Sequence, residues 1–115
     1  MKLSYDSIGQ WCATFACGEG TAENQAVKLS APGAVTPCAD GDAFCGAVTS
    51  VAHGGDACAV QLGGMVTLAY SGAAPAAGYT ALSADGKGGV KTDPAGRVRL
   101  VADVDDAAKT VTFCL

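Results

Sequence analysis

The residues of this chain best suited to chemistry are three cysteines and its one histidine: Cys38, Cys45, His53 and Cys58. A Cys3His set is a zinc donor set in principle. Structural zinc sites bring two ligands together on a tight knuckle, with about two to four residues between them. Here the successive gaps are six, seven and four residues, and no knuckle is present. The expectation is therefore buried or half-buried thiols and no metal, with His53, beside two glycines, an exposed turn residue. The stretches GDAFCGAV (Gly41 to Val48) and GDACAVQL (Gly55 to Leu62) echo each other because one device serves twice. An aspartate bonds its own backbone, a glycine takes positive φ, and a strand carrying a cysteine follows.

Other constellations are weaker. Ser50, His53 and Asp56 have the types of a catalytic triad, but all three lie within one turn, and the G-x-S-x-G seat of an activated serine is absent. Asp103, Asp105 and Asp106 are candidate paired carboxylates whose simpler role is a solvated strand end entering a turn. Asp40-Gly41-Asp42 looks like a fragment of a calcium loop, without the later ligands or the terminal glutamate. Gly86-Lys87-Gly88-Gly89 is glycine-rich with a lysine, yet it is no G-x-x-x-x-G-K-[ST] loop, and a hairpin turn accounts for it. No catalytic constellation survives, so the chain is read as a non-enzyme with no cofactor and no small-molecule substrate.

The elements that hold these residues alternate with period two. Trp11, Ala13, Phe15 and Cys17 share one face of WCATFAC; Val27 and Leu29 oppose Lys28 and Ser30. In RVRLVADVDD, Val98, Leu100, Ala102 and Val104 alternate with Arg97, Arg99, Val101 and Asp103, and KTVTFCL repeats the pattern with Val111, Phe113 and Leu115. Such alternation predicts strands with one buried face. Glycine, proline and aspartate turns separate them, at APG, ADGD, HGGD, ADGKGG, DPAG and DDAAK. The prediction is an all-β fold, a compact small β-barrel or β-sandwich with at most one short helix, over a single domain 1–115. The place for a helical turn is Gly18 to Val27. The expected core is Phe15, Val27, Leu29, Val48, Val60, Leu62, Val66, Leu68, Val98, Leu100, Val104, Val111 and Phe113. Arg97 and Arg99 are expected on the polar face of their strand.

Bulk properties narrow the partners. A net charge of −4 with seven basic residues gives no electrostatic grip on nucleic acid or anionic lipid, and no apolar run is long enough to span a membrane. The start, MKLSYDSIGQW, has one lysine and no apolar region behind it, so no secretory signal is read there. With no export signal, the six cysteines are expected to be free thiols. Charged residues are 16% of the chain, against about a quarter in ordinary domains, which suggests that part of the surface is covered by other subunits.

The order of these features is similar to that of a known family. AENQAVKLSAPGAVTPCADGDAFCGAVTSV, followed by ACAVQLGGMVTLAYSGAAPAAGYTALSADGKGGVKT and the alternating pair RVRLVADVDD and KTVTFCL, resembles the small capsid decoration, or cement, proteins of tailed bacteriophages and prophages. The likeness runs from about Ala22 to Leu115, and the start of the chain fits it. The resemblance implies a non-enzymatic virion structural protein, often a homotrimer, that binds the major capsid protein on the outside of the assembled head and reinforces it. It would be made in the bacterial host cytoplasm and reside on the capsid surface. The six cysteines are unusual for such a protein. Residues expected to meet the partner are the short-side-chain loop Ala73, Ala74, Pro75, Ala76 and Ala77, and a mixed-charge rim at Arg97 and Arg99. The alternatives are a generic β-assembly module, a biotinyl- or lipoyl-like carrier domain presenting Lys87 on its turn, and a zinc or thiol-redox protein. The flanks of Lys87 do not match a carrier.

Overall fold

The computed structural model describes residues 11–115, and the opening decapeptide, on which the reading of a missing signal falls, lies outside the described residues. Ten strands follow in order: β1 (Trp11–Cys17), β2 (Ala26–Ala31), β3 (Ala34–Pro37), β4 (Gly46–Val51), β5 (Ala57–Gly63), β6 (Met65–Ala69), β7 (Gly78–Ala84), β8 (Val90–Thr92), β9 (Arg97–Asp105) and β10 (Thr110–Cys114). The fold is all-β, and no helix forms among the described residues. The helical turn considered for Gly18 to Val27 is replaced by turns: the Thr21 hydroxyl donates to the Gly18 carbonyl at 2.7 Å, and Asn24 takes a φ of 60°.

The first five strands close into a barrel in the order β1-β3-β2-β4-β5, and the last five form a sheet in the order β6-β10-β9-β7-β8. Closure depends on β1, which pairs parallel with β3 and antiparallel with β5. Valines dominate the barrel interior, where Val27, Val35, Val48, Cys58 and Val60 are packed by Phe15, Cys17, Cys45, Val51 and Leu62. β-Branched side chains suit such pleated, enclosed walls. Gly46 is required at the start of β4, because a Cβ there would lie 2.3 Å from the Gln61 carbonyl oxygen.

A second core joins barrel to sheet. Ala26, Cys38, Phe44 and Ala47 from the barrel half meet Val66, Leu68, Tyr70, Leu82, Val90, Val101, Val111 and Phe113 from the sheet. The rings of Phe44 and Phe113 meet edge to face, with centroids 5.8 Å apart. Backbone bonds cross the same seam: Gly41 N–H donates to Ala84 O, Ala84 N–H to Asp42 O, and Ala26 N–H to Gly88 O. At the chain crossing from β5 to β6, the buried Gln61 amide donates to the carbonyls of Gly63 and Met65.

The predicted core is found at Val27, Val48, Val60, Val66, Leu68, Val111 and Phe113, with Phe15, Leu62 and Val104 partly buried against it. Four expectations are overturned, three in the core and one on the polar face. Val98, Leu100 and Leu29 are exposed, while Arg99 and Val101 are buried. The cause on β9 is a register shift. Thr112 pairs with Asp103, yet Phe113 pairs with Val101, so Ala102 is unpaired and the side-chain alternation changes phase there. Val104 faces the core on one side of the bulge; Arg99 and Val101 face it on the other. On β2, Leu29 lies beside a second shift, between Leu29 and Ala31, and opens into the seam between barrel and sheet.

Candidate functional site

The thiols are dispersed by the fold. Cys58 and Cys17 lie in the barrel interior, Cys38 is buried in the seam core, and Cys45 precedes β4. Burial, and then the negative charge of Asp42, push the Cys38 thiol up to about 11. Burial, and then the neighbouring Cys17, push Cys58 up to about 11. Burial also raises Cys45. Such thiols are protonated at neutral pH, whereas nucleophilic attack needs the thiolate. His53 is exposed in the turn between β4 and β5. Among the described residues, no three His, Cys, Asp or Glu side chains cluster closely enough to hold a metal ion.

The carboxylates singled out by sequence are committed to local structure. Asp42 accepts from the Lys28 ammonium at 2.6 Å and the Ala39 N–H at 2.9 Å, while Asp40 pairs with Lys91 at 2.8 Å. The two point to different lysines, not to a shared ion. Asp105 accepts from the N–H groups of Ala107 and Ala108, and Asp106 accepts from the Tyr70 hydroxyl. No hydrogen bond joins Ser50, His53 and Asp56 among the described residues. Lys87 is exposed between β7 and β8, in a turn organised by Asp85. One Asp85 oxygen accepts from the N–H groups of Lys87 and Gly89, and the other from the Ser71 hydroxyl. That role of Asp85 was not read from the sequence; its signal is an aspartate two residues before an exposed glycine-flanked lysine.

The residues expected to meet a partner fall into two places. Ala73, Ala74, Ala76 and Ala77 are exposed in the loop between β6 and β7, and Pro75 is buried. Ala73 lines an open cleft of about 750 Å³ with Asp40, Ser71, Asp85, Lys87 and Lys91. Arg97 and Arg99 line neither wall of that cleft. They stand together on β9, where both line two smaller clefts. One, of about 240 Å³, includes Lys28, Leu29, Phe44 and Leu82. The other, of about 270 Å³, includes Tyr79, Val98, Leu100 and Leu115.

Arg97 and Arg99 also differ from each other. Arg97 is exposed, whereas Arg99 retains 6% of its surface, which corrects its expected place on a polar face. Its guanidinium lies 4.4 Å from the Phe44 ring centroid and donates through Nη2 to the Phe44 carbonyl at 3.1 Å. Its Nε is buried without a partner. Burial, and then the charge of Arg97, lower the Arg99 pKa from its ordinary value.

Beside these arginines is an apolar surface that includes Val98 and Leu100, which the sequence reading placed in the core. Tyr79 is 80% exposed, Val98 59% and Leu100 40%. Tyr79 pairs directly with Leu100, and Val98 with Ala81, so the three share the outer face of the β7–β9 ladder. Comparison with known protein families finds none that matches the chain, and comparison with curated proteins finds no relative.

Proposed function

We propose that this protein is a structural decoration domain, which binds the outer surface of an assembled bacteriophage head as a homotrimer and reinforces it. The observation that carries the reading is the outward pair Tyr79–Leu100 with Val98 beside it. Interface centres are rich in tyrosine and arginine and poor in lysine, and here Arg97 borders the apolar patch. Contiguous exposed apolar surface marks contact sites more than solvated faces. The order of strands and turns from Ala22 to Leu115, similar to that of small capsid decoration proteins, supports the same reading. Each copy would touch the major capsid protein weakly, and a trimer on a local threefold position gains avidity from several contacts at once. The protein would be made in the host cytoplasm and act on the virion surface.

The test is co-sedimentation with capsids of the phage or prophage that encodes the chain. Wild-type protein should pellet with them and scatter light as a trimer. The variant Tyr79→Ser/Leu100→Ser should lose at least about tenfold in affinity while melting as the wild type does, since both side chains face outward. A wild-type chain that remains monomeric and stays in the supernatant overturns the reading.

A further inference from the structure

Two arginines stand two residues apart on one side of β9, and neither forms an ion pair with a described carboxylate. Lys28, which lines one of the same clefts, has its charge matched by Asp42. A guanidinium offers five N–H donors in a rigid fork, and a buried unpaired one is costly to retain. Arg99 uses Nη2 on the Phe44 carbonyl and leaves its buried Nε with no acceptor. The walls on either side are apolar, with Leu29 and Phe44 in one cleft and Tyr79 and Leu100 in the other. At about 240 and 270 Å³, each has room for a side chain but is smaller than an ordinary small-molecule pocket, which is about 300–1,000 Å³.

We infer that the Arg97–Arg99 corner is a carboxylate-binding site, which takes an Asp or Glu side chain next to an apolar residue on a protein partner. A planar carboxylate matches the edge of a guanidinium fork, and its apolar neighbour would occupy the adjoining cleft. A singly charged carboxylate is favoured over phosphate because the surroundings are apolar and a doubly charged group costs more to desolvate. This inference rests on the reading that this part of the β7–β9 ladder, where the arginines and the outward patch line one cleft, meets a protein partner, and it names what is recognised there.

The experiment follows the arginine Nε–Hε resonances of the full-length, ¹⁵N-labelled chain. The probes are acetyl-Glu-Leu-amide, acetyl-Gln-Leu-amide, acetate and inorganic phosphate. The Glu-Leu peptide should shift the Arg99 and Arg97 signals saturably, acetate more weakly, and the Gln-Leu peptide not at all. Arg97→Gln should weaken the Glu-Leu peptide about tenfold, and Arg97→Lys by less, because lysine retains the charge without the fork. An absence of saturable shifts, equal response to the Gln-Leu peptide, or phosphate binding as tightly as the Glu-Leu peptide overturns the site. Peptide binding without capsid co-sedimentation would support the site and overturn the decoration reading. Co-sedimentation without peptide binding would do the reverse.

Discussion

Phe113 lies opposite Val101, although its neighbour Thr112 lies opposite Asp103, so Ala102 has no partner on β10. The bulge lets one strand present Val104 and Val101 to the same core and Val98 and Leu100 to the outside. A one-residue slip in a strand moves every side chain to the other face. Deleting Ala102 should therefore close the bulge while keeping both pairs, Asp103 with Thr112 and Val101 with Phe113, so that Val104, Val101 and Arg99 still face the core. The expected result is a melting temperature within about 5 °C of the wild type, whereas deleting Leu100, which sends Arg99 and Val98 to the opposite faces, should lower it by more than about 10 °C, measured by circular dichroism. Equal melting temperatures for the two deletion variants would show that the register of β9 does not decide stability.

Charge reversal should separate the two arginines. Arg97→Glu lies on an exposed site and should change stability by no more than about 0.5 kcal/mol. Arg99→Glu places a carboxylate against the Phe44 ring and carbonyl and should cost about 3–5 kcal/mol. Arg99→Met retains the apolar stem while losing the hydrogen bond and the cation–π contact, so it should fall between them. Urea midpoints for the three variants check the order, and equal midpoints for both glutamate variants would contradict it.

The six thiols should react in an order set by burial. Cys12 is exposed and should be labelled first by a disulfide reagent; Cys38 and Cys58 are buried and should react only as the domain opens. Their pKa values near 11 mean that the rates at these two sites should still be climbing above pH 9. Mass spectrometry of partly labelled protein gives the order. Early labelling of Cys58 would count against a closed barrel.

Acid should weaken the domain through two aspartates. Asp42 ionises below the usual carboxylate value because Lys28, and then the Ala39 N–H, donate to it. Asp93 does so because of the Ala95 N–H and then the Ser83 hydroxyl. A depressed folded value contributes stability in full above the unfolded value, about 3.9, and loses it as pH falls through the folded one. Both carboxylates meet solvent, so the decline should be shallow. Urea midpoints between pH 6 and pH 2 should fall at the acid end, and Asp42→Asn/Asp93→Asn should flatten that limb. An unchanged acid limb in the double variant would place its origin elsewhere.

Strand character, turn positions and much of the core were legible in the sequence, because alternation in segments such as Val66–Leu68 and Val111–Phe113 has one apolar phase. The phase of β9 was not, since Val98, Leu100 and Val104 form an unbroken alternation that the bulge at Ala102 cuts in two. No local pattern announces such a bulge; the pairing with β10 creates it. The same phase error hid the candidate site. Arginine read as a solvent-facing residue became the buried partner of Phe44, and two aliphatic residues read as core became surface. Arg97 alone of the two was placed correctly, since exposed charge is the ordinary case. That Ala73 and the arginines line different clefts depends on how the loop between β6 and β7 crosses the sheet, which spacing alone does not encode.

The barrel closes through β1, whose partners are not its neighbours in the chain: Ala16 pairs with Ala34, and Trp11 with Gly63. During synthesis the ribosome delivers β1 first and its antiparallel partner β5 last of the five. Until then β1 has a free edge, and the valine-lined interior has no closed wall. Hairpins β2–β3 and β4–β5 can form as they emerge, but closure must bring together ends separated by the whole barrel segment. Folds dominated by such distant pairs reach the native state over about milliseconds to seconds, more slowly than helical domains of equal length. The vulnerable interval for this protein is therefore its birth: an unclosed β1 beside other nascent copies offers a strand edge to the wrong partner.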